Sequence, residues 1–70
     1  MPCMLEFETT HKAPLNVIYI NAKSIHTAQP HPKVEGLTEI IYGQENHVVV
    51  REECGSVVDR LRRAFEIGEA

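Results

Sequence analysis

The sequence predicts an α+β domain: a small antiparallel sheet of about five strands followed by one amphipathic helix at the C-terminus. Two observations carry this. Period-two alternation of apolar residues recurs in short runs up to residue 52, and the three-and-four spacing of a helix appears only after residue 53. Seventy residues suffice for one domain spanning 1–70 and leave no room for a second core.

The first strand lies within residues 4–10, where Leu5 and Phe7 alternate with Glu6 and Glu8 and should face the core. Pro14 then interrupts, since it removes a backbone donor and disfavours helix in its predecessor. Residues 15–21 are β-branched and aromatic, with Val17 and Tyr19 on one side and Ile18 and Ile20 on the other, which suggests a central strand. After the turn formers Asn21 and Ser24, residues 25–29 offer a weaker strand with Ile25 pointing inward. From Pro30 to Gly36 two prolines and a glycine mark an exposed, mobile hairpin tip that takes no part in a ladder. Residues 38–42 and 47–52 flank Gly43-Gln44-Glu45-Asn46, in which Gly43 and Asn46 tolerate positive φ, and should pair as a hairpin.

The helix is expected over about 55–67. Cys54, Val57, Val58, Leu61 and Phe65 form its apolar stripe, Ala64 widens it, and the stripe must lie across the sheet because nothing else can cover it. Ser56, with Asp59 three residues on, reads as the N-cap; Asp59 and Arg63 are spaced for a side-chain pair; Gly68 supplies the stop.

Chemistry-bearing residues are sparse. His11, His26, His31, His47, Cys3 and Cys54 show none of the short paired spacings of zinc sites, so no metal or other cofactor is expected. His26 and His31, on either side of the tip, are the pair most open to stray metal. Cys54 could be activated at a helix N-terminus, yet it shares a face with Val57 and Leu61 and reads as a packed thiol. Glu52 and Glu53 point to different sides of an extended chain and cannot share a substrate. No catalytic residue is assigned, no small-molecule substrate is indicated, and the expectation is a protein without enzymatic activity.

The formal charge of −3 gives the molecule no general pull toward phosphate backbones. Basic charge is concentrated in Arg60, Arg62 and Arg63, which with Lys23 and Lys33 form the candidate binding surface. Arginines in the C-terminal half of a helix also complement its dipole, which is the plainer reading. Two cysteines near opposite ends suggest reduced thiols, and neither a membrane-spanning run nor a lipid-modified cysteine is indicated at Met1-Pro2-Cys3, so the expected location is cytoplasmic. A core this small, with apolar residues on both sides of the second strand, also makes binding to a protein partner or to itself, through an exposed strand edge or the outer helix face, the expected mode of action, ahead of nucleic-acid binding.

Taken together, Tyr19-Ile20-Asn21-Ala22-Lys23-Ser24-Ile25, Thr38-Glu39-Ile40-Ile41-Tyr42-Gly43, Val48-Val49-Val50-Arg51-Glu52 and the helix from Val57 onward resemble the small bacterial flagellar and swarming-motility protein family. The resemblance spans residues 15–66. It implies a strand ending in Leu-Asn or Ile-Asn, a short turn and an isoleucine, a Thr-rich strand ending in glycine, a Val-Val strand ending in glutamate, a terminal helix, and a non-catalytic accessory or regulatory role in bacteria. The run Glu52-Glu53-Cys54-Gly55-Ser56 and the long tip from Pro30 to Leu37 depart from the family pattern.

Overall fold

The computed structural model describes the backbone of residues 4–69 and the side chains of residues 4–66; Cys3 lies outside them. Five antiparallel strands precede one helix: β1 (Met4–Glu8), β2 (Val17–Asn21), a 3-10 turn (Ala22–Ser24), β3 (Ile25–Pro30), β4 (Thr38–Tyr42), β5 (Asn46–Val50) and α1 (Cys54–Glu69). The strands form a two-stranded sheet, β1-β2, and a three-stranded sheet, β3-β4-β5, which do not close into a barrel. An antiparallel bridge between Thr9 and Val50 joins them, and Arg51 N–H donates to the Glu8 carbonyl at 2.7 Å beside it.

Alternation places Phe7 and Ile20 inward from the first sheet and Ile40 and Val50 inward from the second, and with Val57 of α1 they form the buried core. Leu5, Ile18, Ile25, Ala28, Tyr42, Val48 and Leu61 pack around it. The helix lies against β3 and the 3-10 turn. Its inward line is buried Val57 and Ala64 with half-buried Leu61, while Val58 and Phe65, expected in the stripe, remain exposed on its flanks.

Several expectations are corrected. The two-sided apolar strand, β2, is not central: among the described residues its hydrogen-bonded neighbour is β1 alone, and Val17 and Tyr19 face solvent. Ser56 is not the N-cap. The helix starts at Cys54 and already includes Ser56, with Val57 N–H donating to the Glu53 carbonyl at 3.1 Å, and Ser56 Oγ donates to Glu52 Oε2 at 2.6 Å. Gly68 does not stop the helix, which runs to Glu69, and among the described residues Asp59 and Arg63 form no ion pair.

In the β4–β5 hairpin the residues at positive φ are Gly43 (+60°) and Glu45 (+64°), and Asn46 belongs to the strand. Pro30 ends β3 opposite Thr38, a ladder position a proline can fill at the end of a strand whose outer side is unpaired. The tip beyond it is organised by His31: its Nδ1 accepts from the N–H groups of Lys33 and Val34, both at 3.1 Å, and its own N–H donates to the Leu37 carbonyl at 2.9 Å. Gly36, at φ +84°, makes the return.

Candidate functional site

Residues of the sequence-derived surface separate into two kinds. Arg60 is committed inside the molecule: Nη1 donates to Glu52 Oε1 at 2.7 Å, Nη2 donates to the Glu6 carbonyl at 2.6 Å, and its guanidinium stands 4.6 Å above the Phe7 ring. Arg62 and Arg63 of α1, Lys23 of the 3-10 turn and Lys33 of the β3–β4 tip are exposed. They come from three separate elements, and Arg60 cannot serve with them without giving up its own partners.

The Arg60 cluster ties three elements together. Glu52 spends one carboxylate oxygen on Arg60 and the other on Ser56, while its backbone carbonyl accepts from the buried Thr38 Oγ1 at 2.6 Å. Arg60 thus supplies a donor to a β1 carbonyl that faces away from β2; among the described residues backbone pairing on that side of β1 occurs only farther along, at the Thr9–Val50 bridge and the bond from Arg51 N–H to the Glu8 carbonyl. A second knot closes the β1–β2 loop: Thr9, buried, donates through Oγ1 to the Leu15 carbonyl at 2.8 Å, its N–H donates to the Asn16 carbonyl at 2.8 Å, and its carbonyl accepts from Arg51 Nε.

These bonds also fix which backbone groups of β2 are free. Glu8↔Val17, Glu6↔Tyr19 and Met4↔Asn21 face each other in register. The carbonyls of Glu6 and Glu8 turn away from β2, toward Arg60 and Arg51, and the Thr9 N–H bonds to Asn16. The three pairs are therefore the non-hydrogen-bonded members of the ladder, and the N–H groups of Val17, Tyr19 and Asn21 point to the open edge. The Asn21 carbonyl is taken by Ser24 Oγ at 2.8 Å; the carbonyls of Val17 and Tyr19 remain directed outward.

This edge is apolar and, among the described residues, unpaired. Tyr19 is 60% exposed and Leu15 69%, and with Val17 and Met4 they make up four of the seven large hydrophobic side chains exposed among the described residues. On the same outer face Glu6 and Glu8 alternate one strand inward, and the Glu6 carboxylate opposite Tyr19 holds its phenol above the usual range. No charged residue lies within β2 itself. Edge strands are ordinarily blunted by charge, proline or a bulge, and β2 has none of these.

The remaining titratable side chains are dispersed. Across the outer face of the second sheet Gln29 Nε2 donates to Glu39 Oε1 at 2.7 Å and His47 Nδ1 stands 3.3 Å from Glu39 Oε2; the bond from Gln29, then that from His47, holds the Glu39 carboxyl below the usual range. His26, at the irregularity between Ile25 and Thr27, bonds through Nε2 to the Gly43 carbonyl. Cys54 Sγ donates to the Ala28 carbonyl at 3.7 Å, anchoring the first turn of α1 on β3. Among the described residues no group of three or more His, Cys, Asp or Glu is arranged to hold a metal ion, and no helix is long and apolar enough to cross a membrane.

The sequence points to an exposed strand edge or the outer helix face as the binding surface without saying which strand supplies the edge. The signal for β2 was present in the two-sided apolar pattern of Val17 to Ile20, which fits an interaction edge as well as a central strand. Comparison of the chain with protein-family models, with curated proteins and with solved structures gives no match.

Proposed function

We propose that the chain is a small non-enzymatic interaction module of the bacterial cytoplasm, binding a protein partner or another copy of itself by strand addition at β2. The observation that carries this reading is the open β2 edge, whose outward N–H groups at Val17, Tyr19 and Asn21 are flanked by exposed apolar side chains. Strand addition derives affinity from main-chain hydrogen bonds and specificity from alternate side chains, and β2 supplies both. The resemblance of residues 15–66 to the flagellar and swarming-motility family supports a regulatory or accessory role of this kind.

Nucleic-acid binding through Arg62, Arg63, Lys23 and Lys33 is the competing reading. The engagement of Arg60 with Glu52 and Glu6 weighs against it, as does the net negative charge.

Site-specific photo-cross-linking in the protein's own cells tests the proposal, with the photoreactive residue placed at Tyr19 or, as a control, at Arg62. Discrete protein adducts at position 19 and not at 62 are expected. An absence of protein adducts at position 19, or adducts to DNA or RNA at position 62 that decline as salt rises, would overturn it.

A further inference from the structure

We propose that the occupant of the β2 edge is a second copy of this chain, with the two β2 strands antiparallel about a two-fold axis at Tyr19. This rests on the strand-addition reading above and specifies its partner and register.

The open edge is self-complementary. Outward N–H groups occur at Val17, Tyr19 and Asn21, spaced by two, so reversing the strand about Tyr19 superimposes the three on themselves; the outward carbonyls of Val17 and Tyr19 accept from Asn21 and Tyr19 of the second copy, and the Asn21 carbonyl, which already accepts from Ser24 Oγ, would accept a second bond from Val17. Tyr19 then faces Tyr19 of the second copy as a hydrogen-bonded pair, exchanging two N–H···O bonds, and Val17 faces Asn21. On the inner face the same register sets half-buried Ile18 beside buried Ile20 of the second copy, so the apolar faces of the two sheets become continuous. On the outer face two tyrosine rings meet, and cross-strand aromatic pairs are among the favourable ones.

Charge agrees with this partner. Because β2 carries no ionisable residue other than Tyr19, the pairing brings no like charges face to face. Glu6 and Glu8 of the two copies stand three strand spacings apart, about 14 Å, which is beyond the screening length of about 8 Å at physiological salt.

Register also brings the end of one β2 next to the start of the other. Lys23, just past Asn21 in the 3-10 turn, thereby comes to the end where Glu8 of the second copy stands opposite Val17. The rows are about 10 Å apart, within the combined reach of the two side chains. Both residues are exposed, and neither has an ion pair among the described residues. This gives Lys23, one of the cations singled out in the sequence, a role at a protein interface.

Light scattering across a concentration series, combined with single-cysteine linking, tests the arrangement. The wild-type chain is expected to reach twice its monomer mass, and Tyr19→Lys, at an exposed position that leaves the circular dichroism unchanged, should weaken the dimer by about tenfold or more through directly opposed like charges. Under mild oxidation Tyr19→Cys should give a 19–19 disulfide, because hydrogen-bonded antiparallel pairs place Cα atoms about 5.5 Å apart, inside the disulfide range. Val17→Cys should give no 17–17 disulfide.

A mass that stays monomeric at every concentration, a dimer untouched by Tyr19→Lys, or equal linking at 17 and 19 would overturn the proposal. Cross-linking in cells separates the two levels of inference: adducts at position 19 to a different protein alone overturn the second copy and leave the module standing, and no protein adduct at all overturns both.

Discussion

Replacing Arg60 by methionine keeps the aliphatic volume over Phe7 and removes the charge and both donors. In the wild type those donors reach Glu52 Oε1 at 2.7 Å and the Glu6 carbonyl at 2.6 Å. The Arg60 and Glu52 side chains are 32% and 21% exposed, so water screens the ion pair and its loss costs about 1 kcal/mol, less than a fully buried pair. The bond to the Glu6 carbonyl contributes about 0.5–1 kcal/mol, and the cation above the Phe7 ring, 4.6 Å from its centroid, about 0.5 kcal/mol. Arg60→Met should therefore destabilise the fold by about 2 kcal/mol, which for a domain of this size lowers Tm by about 8–16 °C.

Thermal and urea unfolding followed by circular dichroism measure this, with Arg62→Met and Arg63→Met as controls expected within about 0.5 kcal/mol of wild type. A double-mutant cycle with Glu52→Gln should recover a coupling of about 1 kcal/mol. If Arg60→Met unfolds like the controls, the guanidinium is not the tie between α1, β1 and the β5 end that the geometry describes.

Other consequences are equally specific. Glu45 holds φ +64°, so Glu45→Gly should relieve a left-handed conformation and stabilise by about 0.5–1 kcal/mol, read as a raised urea midpoint. Thr38→Val keeps the buried shape and leaves the Glu52 carbonyl without its 2.6 Å donor, with an expected cost of about 1–2 kcal/mol in the same assay. The Glu39 carboxyl is held below its usual range chiefly by Gln29 and then by His47. Its contribution to stability is thus present above the unfolded-state pKa and fades as pH falls through the lower folded-state value. Gln29→Ala should move the Glu39 titration, followed by carbon-13 NMR of its carboxyl, up toward the ordinary carboxylate range.

Element order was legible because local pattern decides it here. Leu5 and Phe7 between glutamates, the Val48–Val50 run, and Val57, Leu61 and Ala64 at helical spacing are signals in which burial and propensity agree. What was not legible depends on groups distant in the chain. Ser56 looks like an N-cap, yet the helix starts at Cys54 and the Ser56 hydroxyl donates to Glu52, and Arg60 looks free until the Glu6 carbonyl, 54 positions away, is placed beside it. Glu45 rather than Asn46 takes positive φ because the strand register claims Asn46 opposite Tyr42. The apolar pattern of β2 is the instructive case: alternation reports that both faces want cover and does not report whether this chain provides it.

Whether another strand fills the open edge of β2 is read by amide hydrogen exchange at single-residue resolution over a range of protein concentrations. At low concentration the amides of Ile18 and Ile20, bonded to β1, should be protected while those of Val17 and Tyr19 exchange rapidly. Added protein or partner should then protect Val17 and Tyr19 as well. Fast exchange at Val17 and Tyr19 under every condition, including saturating partner, would mean that no strand adds to this edge.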